Sequence, residues 1–342
     1  MKIAIIAHSV YPIKEPYRGG LEKFIHMLAT ELSNKGIDVT LYGHEQTQEG
    51  PYTIKPFTKF EYKFDDNFEE LNRDYKDLLS ELKVNNYDLI HNNSLNNDIL
   101  SLSKYATPVL TTIHVPPIDG FREAVYKNFC NPNAFTNIIS YACLKDWSCL
   151  NFCKVIHNGI NVSKWKVKYP GTEREGAIWF GRICPEKGVE RAIEAADRAK
   201  LPLIVAGPVN NYEYFNYLQT TYKGKFNHIG LCNHDQLNRL ISGSKVFIKA
   251  PIWKEPFGLV YLEALACGTP VATYSSDIAE ELLTSTVSFK TKESPIHLAI
   301  GAQNAAKYID NNTCRKYVAD NFSTDKMVTS YINYYKEILC TK

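Results

Sequence analysis

Two glutamates eight residues apart, Glu255 and Glu263, bracket Pro256-Phe257-Gly258-Leu259-Val260-Tyr261-Leu262, and the run continues to Gly268-Thr269-Pro270. Helical periodicity begins after Pro256, whose missing N–H suits a first turn, and ends at Gly268. The backbone N–H groups of Phe257, Gly258 and Leu259 are then expected to point out of a helix start. The positive end of the helix dipole binds phosphate there, and Gly258 lets an anion approach the backbone. A carboxylate beside a phosphate is repelled unless it has hydroxyls to hold. A ligand carrying both phosphate and sugar hydroxyls, such as a nucleotide sugar, reconciles the two. The plainer alternative makes Glu255 an exposed loop residue and Glu263 a surface helix residue.

A second group of residues suits the same ligand. Phe180-Gly181-Arg182-Ile183-Cys184-Pro185-Glu186-Lys187-Gly188 places Gly-Arg at a strand end and Lys-Gly at a helix start. Two cations there can neutralise a diphosphate, and a salt-bridged strand end is the alternative. No D-x-D motif stands on a loop after a strand. Asp65-Asp66 falls in the charged stretch from Glu61 to Glu81, which reads as a solvated helix face.

These residues need a scaffold, and the rest of the chain supplies an alternating one. Ile3 to Ala7 is a continuous apolar run. It opens into a loop with Pro12, Pro16 and Gly19-Gly20, after which Leu21, Phe24, Ile25, Leu28 and Leu32 recur at helical spacing. Lys35-Gly36 ends that helix and Ile37 to Tyr42 begins a second strand, a β-α-β unit with a parallel sheet. Asp88 to His91, Pro108 to His114 and Asn137 to Ser140 read as further short strands. The pattern pauses near Val155 to Ile160, crosses a polar segment with Tyr169-Pro170-Gly171, and restarts at Ala177 to Gly181. A domain boundary is expected between about 160 and 175. Leu201 to Gly207, Asn227 to Gly230, Val246 to Ile248 and Pro270 to Ala272 continue the strands. A last helix from about Ser323 buries Met327, Tyr331, Tyr335 and Ile338. Two open α/β domains are predicted, with ligands at the carboxyl ends of the strands and substrate in the cleft the domains form by facing each other.

Composition narrows the function classes. The 342 residues are 44% hydrophobic and 22% charged, enough to bury a large core, and the net charge of +2 gives no sequence-wide basic excess for nucleic acid or an anionic membrane. Residues 1 to 160 carry 16 basic and 19 acidic side chains, leaving 23 and 18 for the remainder, so the second half is the better anion holder. The nine cysteines form no C-x-x-C pair and no Cys/His set at zinc spacing; the densest group, Cys143, Cys149 and Cys153, is irregular, and buried free thiols are the default. Lys2 precedes only five apolar residues, too few for a signal peptide, so a cytoplasmic protein with reduced thiols is expected. The loop after Ile3 to Ala7 lacks G-x-G-x-x-G, which argues against a dinucleotide oxidoreductase.

With these residues in place the chain resembles a retaining glycosyltransferase of the family 4 (group 1) type. The family's E-x7-E signature appears as Glu255 and Glu263 inside E-P-F-G-L-V-Y-L-E-A-L-A-C-G-T-P-V. Gly19-Gly20 matches the family's glycine-rich loop, Thr112-Ile113-His114 its histidine at a strand end, residues 155 to 161 the segment before the hinge, and residues 181 to 188 the basic phosphate pair. The resemblance implies the GT-B fold, α/β, with a Rossmann-like acceptor domain over 1–160 and a Rossmann-like nucleotide-sugar donor domain over 161–322. A helix over 323–342 would return to the first domain. It further implies that Arg182 and Lys187 grip the donor diphosphate with the N–H groups of Phe257, Gly258 and Leu259. Glu263 would hold the ribose and Glu255 the transferred hexose, Gly19 and Gly20 would approach phosphate and sugar, and His114 would lie by the reacting sugar. Val115 stands where many relatives have an acidic residue, and the chain is short for the fold, which implies trimmed acceptor loops.

The expected reaction moves a hexosyl group from a nucleoside diphosphate sugar, a UDP-sugar before GDP-mannose, to a carbohydrate or small-molecule acceptor hydroxyl with retention. No cofactor and no metal are expected, because fixed cations can stabilise the leaving diphosphate. No nucleic-acid partner is expected, and membrane association is not indicated. A GT-B phosphorylase, a nucleotide-sugar epimerase and a non-catalytic binding protein share the fold and remain alternatives.

Overall fold

The structure is a computed structural model that describes residues 1–59, 69–147, 150, 153–167 and 173–341. Asp65-Asp66, Cys149 and Tyr169-Pro170-Gly171 lie outside the described residues, as does the start of the Glu61 to Glu81 stretch. The chain divides into two compact units. One comprises Met1–Gly159 with Thr324–Lys342, the other Ile160–Ser323.

In the first unit the strands are β1 (Lys2–Ile6), β2 (Asp38–His44), β3 (Thr53–Thr58), β4 (Leu89–Asn92), β5 (Val109–Ile113), β6 (Ala134–Ile138) and β7 (Lys154–Val155). They pair in the order β3-β2-β1-β4-β5-β6-β7, every pair parallel. Strand alternation explains why β1 is apolar from Ile3 to Ile6. Ile3 and Ile5 enter a core shared with Phe24, Ile25 and Leu28 of the helix Gly20–Asn34, whereas Ala4 and Ile6 face the opposite layer with Tyr75, Leu78 and Leu82. Those last three residues correct the reading of Glu61 to Glu81 as a merely solvated face: the helix Glu69–Val84 is amphipathic and buries one side.

The helix Thr324–Cys340 joins the first core through Met327, Val328, Tyr331, Tyr335 and Ile338. A polar chain inside the core fixes its register. Tyr335 Oη lies 2.8 Å from His91 Nδ1, His91 Nε2 lies 2.6 Å from Thr112 Oγ1, and the Thr112 hydroxyl donates to Asn137 Oδ1 at 2.7 Å. Asn137 Nδ2 donates in turn to Tyr331 Oη at 3.2 Å. Thr112 spends its proton on Asn137, so His91 Nε2–H donates to Thr112 and Nδ1 accepts from Tyr335, which requires a neutral imidazole.

The second unit holds β8 (Glu175–Phe180), β9 (Leu203–Ala206), β10 (Asn227–Gly230), β11 (Ser244–Lys249), β12 (Val271–Tyr274) and β13 (Ser288–Thr291). All pairs are parallel in the order β10-β9-β8-β11-β12-β13. Its core packs Trp179, Val205, Val246 and Ile248 against the helices Val189–Ala199 and Pro295–Tyr308. Where the chain enters this unit, Ile160 N donates to Phe322 O at 2.8 Å, and Arg315 holds the Val162 and Ala266 carbonyls at 2.9 and 2.8 Å.

Three strands, β3, β7 and β13, were not anticipated by periodicity. All three lie at sheet edges. Half-covered strands need no continuous apolar run: β3 carries Lys55 and Pro56, and β7 is only two residues long. The eight described cysteines are all free, but Cys130 and Cys340 are exposed, which corrects the expectation of buried thiols for those two.

Candidate active site

The site in the second unit is assembled where two loops leave neighbouring central strands. After β8 come Gly181 and Arg182, then a single turn Pro185–Lys187, and Gly188 starts the helix Val189–Ala199 in the left-handed region at φ 68°. A Cβ at Gly188 would fall 1.9 Å from the Ala250 carbonyl oxygen, so only glycine lets the chain leaving β11 pass this close. Ile252 N donates to Glu186 O at 2.9 Å and ties the two loops together. That clamp sets Glu255 beside Lys187.

Lys187 Nζ lies 2.9 Å from Glu255 Oε1, and a second lysine, Lys249 at the end of β11, lies 3.4 Å from the same oxygen. The Glu255 and Lys249 side chains are 8% and 2% exposed, that of Lys187 13%. The Lys187 ammonium stands 4.4 Å over the Trp253 ring and that of Lys249 5.5 Å from the Trp179 ring. Burial works to raise the Glu255 carboxyl, but Lys249 and then Lys187 outweigh it and hold it below the ordinary carboxylate range. Burial also brings the Lys249 ammonium down to about 8, Glu255 opposing the change and Lys187 adding to it. The three side chains carry one negative and two positive charges, so this pocket of low dielectric keeps an excess positive charge.

The plainer alternative for the two glutamates is thereby set aside: the Glu255 side chain is 8% exposed and paired with two lysines, and Glu263 is buried on its helix. The helix itself spans Leu259–Ala266, with Gly258 as its N-cap at φ 82°. Pro256 and Phe257 therefore precede the N-cap, so Phe257 lies outside the first turn in which the periodicity placed it. Periodicity misplaced the start because Phe257 is core-facing although it precedes the helix. Gly258 and Leu259 remain at the helix start. Arg182 is exposed, and its guanidinium makes no hydrogen bond or ion pair among the described residues.

The remaining candidates belong to the first unit. Gly19 caps the helix Gly20–Asn34 in extended conformation and Gly20 is exposed. His114, buried just beyond β5, lies 2.9 Å from Asn93 Oδ1 through Nε2, and its ring meets Phe24 edge-on at 4.8 Å. Burial, with His8 adding to it, lowers the His114 imidazole to about 3, so it is a neutral hydrogen-bonding group at physiological pH. His8 Nε2 lies 3.0 Å from Glu22 Oε1. Burial favours the neutral Glu22, but His8 prevails and keeps the carboxyl below its usual range.

Sequence reasoning missed Lys249, Trp253 and Trp179 in the second unit and His8, Glu22 and Asn93 in the first. One signal was readable: a lysine closing the apolar strand Val246-Phe247-Ile248 needs a buried partner.

Comparison with known proteins bears directly on these motifs. Residues 18–164 match Glycosyltransferase Family 4, and residues 164–310 match Glycosyl transferases group 1. An uncharacterized glycosyltransferase of Methanocaldococcus jannaschii, MJ1607, is 30% identical over 210 residues, covering 54% of this chain. The match spans 53% of that relative, about half its length. Among solved structures, AviGT4, a glycosyltransferase involved in avilamycin A biosynthesis, superposes with TM-score 0.78 at 18% identity, covering 100% of this chain and 98% of its own. Anabaena HepE in complex with UDP and glucose gives TM-score 0.77 at 17% identity over 98% and 100%. These likenesses establish the GT-B fold. Both units carry their part of the pattern, Gly19-Gly20 in one and Arg182, Lys187, Glu255 and Glu263 in the other, and the chain belongs to the group 1, family 4-type glycosyltransferases.

Proposed function

We propose that the chain is a retaining hexosyltransferase that uses a nucleoside diphosphate sugar, a UDP-sugar before GDP-mannose, and an acceptor hydroxyl of a carbohydrate or small molecule. The observation that carries this reading is the excess positive charge of Lys187, Glu255 and Lys249 beside the exposed Arg182. Breaking the bond from anomeric carbon to phosphate develops negative charge on the leaving diphosphate. Arg182 and Lys187 are the groups that would meet it, with the N–H groups of Gly258 and Leu259 assisting, and fixed charges of this kind favour the transition state over the ground state. Glu255 would orient the hexose hydroxyls and Glu263 the ribose. Gly19, Gly20 and His114 would serve the sugar and acceptor side. On this reading no divalent cation is needed, since the cations are already in the chain. HepE, which binds UDP and glucose in the crystal, lends support to the donor class.

Thermal unfolding with UDP, GDP, ADP and TDP tests the donor. A nucleotide at 100 times its dissociation constant stabilises by about 2.7 kcal/mol. The expected result is a shift with one nucleotide that is lost in Glu263→Ala. Turnover should fall by about 10² to 10³ in Lys187→Ala. No shift with any of the four nucleotides would overturn the donor site, and activity that depends on free phosphate would replace transfer by phosphorolysis.

A further inference from the structure

Two ammonium groups, one buried and one partly accessible, on one carboxylate oxygen are more than folding requires. A single lysine would balance Glu255. The second adds the cost of desolvating another charge, and it repels the first. The two lysines also differ in how they are held. Lys249 projects from the end of a central strand, is nearly inaccessible and is fixed against Trp179. Lys187 stands on a single turn, is more accessible, and reaches Glu255 from beside the exposed Arg182 loop. If Lys187 turned to an arriving diphosphate, Glu255 would be left as a buried carboxylate, which is costly unless another cation stays with it.

We propose that Lys249 is that cation: a positioning residue that keeps the Glu255 carboxylate paired and in place while Lys187 transfers from Glu255 to the donor's diphosphate. The proposal rests on the donor reading above. Without ligand the cluster holds two positive charges against one negative. With ligand, Lys249 and Glu255 become a one-to-one pair and Lys187 joins Arg182 on the phosphates. The excess charge is thereby matched to the anion, and Glu255 keeps its orientation toward the sugar.

A measurable proton follows from the exchange. The groups facing Lys249 are Glu255, Lys187, the Cys184 thiol and the Trp179 ring. Burial and the neighbouring Lys187 bring Lys249 down to about 8 in the free protein, and removing Lys187 to a phosphate lifts part of that pressure. UDP binding near pH 8.5 should therefore draw a fraction of a proton onto the protein. UDP itself is fully ionised there.

Isothermal titration of UDP in buffers of different ionisation enthalpy reads this directly on the full chain. Wild type is expected to take up protons on binding. Lys249→Met should take up none and bind UDP about tenfold or more weakly, because Lys187 must then abandon an otherwise unpaired carboxylate. Lys249→Arg, which stays charged, should take up none yet recover most of the affinity. If Lys249→Met does not fold, the wild-type proton count and the arginine variant still decide. UDP binding to wild type without proton uptake, or a Lys249→Met protein with wild-type affinity, overturns the inference and leaves the donor site standing. If wild type binds none of the four nucleotides, both fall together.

Discussion

Replacing Gly188 by alanine should disable the site by forcing apart the two loops that build it. The residue occupies the left-handed region at φ 68°, where an alanine costs about 1–2 kcal/mol more than glycine. The added Cβ would also lie 1.9 Å from the Ala250 oxygen and 2.8 Å from its carbonyl carbon. An ordinary carbon–oxygen contact is about 3.4 Å, so the two loops must separate by roughly 1.5 Å. Overpacking of that size costs about 1–3 kcal/mol. The same movement would stretch the Lys187–Glu255 contact from 2.9 Å to about 4.4 Å, beyond ion-pair range. Together the terms come to about 2–5 kcal/mol, or about 5–15 °C in the Tm of a unit this size. Turnover should drop about 100-fold, the usual effect of an ångström of misplacement. Gly224→Ala separates the two causes, since Gly224 has φ 74° but nothing within 4 Å of the added carbon. It should show only the backbone cost. Thermal unfolding and UDP titration of both variants suffice. A Gly188→Ala protein as stable as Gly224→Ala, with wild-type UDP affinity, would refute the steric argument.

Two further outcomes concern the first unit. Tyr335→Phe leaves His91 Nδ1 without its buried partner and should lower stability by about 1–3 kcal/mol in chemical denaturation; an unchanged midpoint would mean that the polar chain does not hold the C-terminal helix. His91 and His114 are both lowered by burial to about 3, so between pH 3 and 6.5 they are neutral when folded and charged when unfolded. The unfolded state then binds more protons, and stability must fall as pH drops below 6.5. Near pH 5.5, still above most carboxylates, two such groups give a slope of about 2.5 kcal/mol per pH unit. A flat stability profile from pH 6.5 to 5 would contradict the neutral assignment of both.

How much of the protein could be read from its sequence depends on the range over which each interaction acts. The parallel sheets were legible because a strand covered on both faces must be apolar at every position, as Ile3 to Ile6 and Val246 to Ile248 are. The edge strands β3, β7 and β13 were not, although the edge strand β10 was, because half-covered strands tolerate residues such as Lys55 and Pro56. The candidate site residues Arg182, Lys187, Glu255 and Glu263 could be picked out because they stand in local patterns whose turns and helix starts are specified by nearby glycines and prolines. What a linear reading of Glu255 could not reveal is that it is buried, that Lys187 from 68 residues away holds it, and that Lys249 shares the same oxygen. Nor could it reveal that His91 meets Tyr335 across 244 residues. Local patterns are dictated by backbone geometry within a few residues of one another. A charge's partner and its burial are decided only when the strand order β10-β9-β8-β11-β12-β13 sets the ends of β8 and β11 side by side.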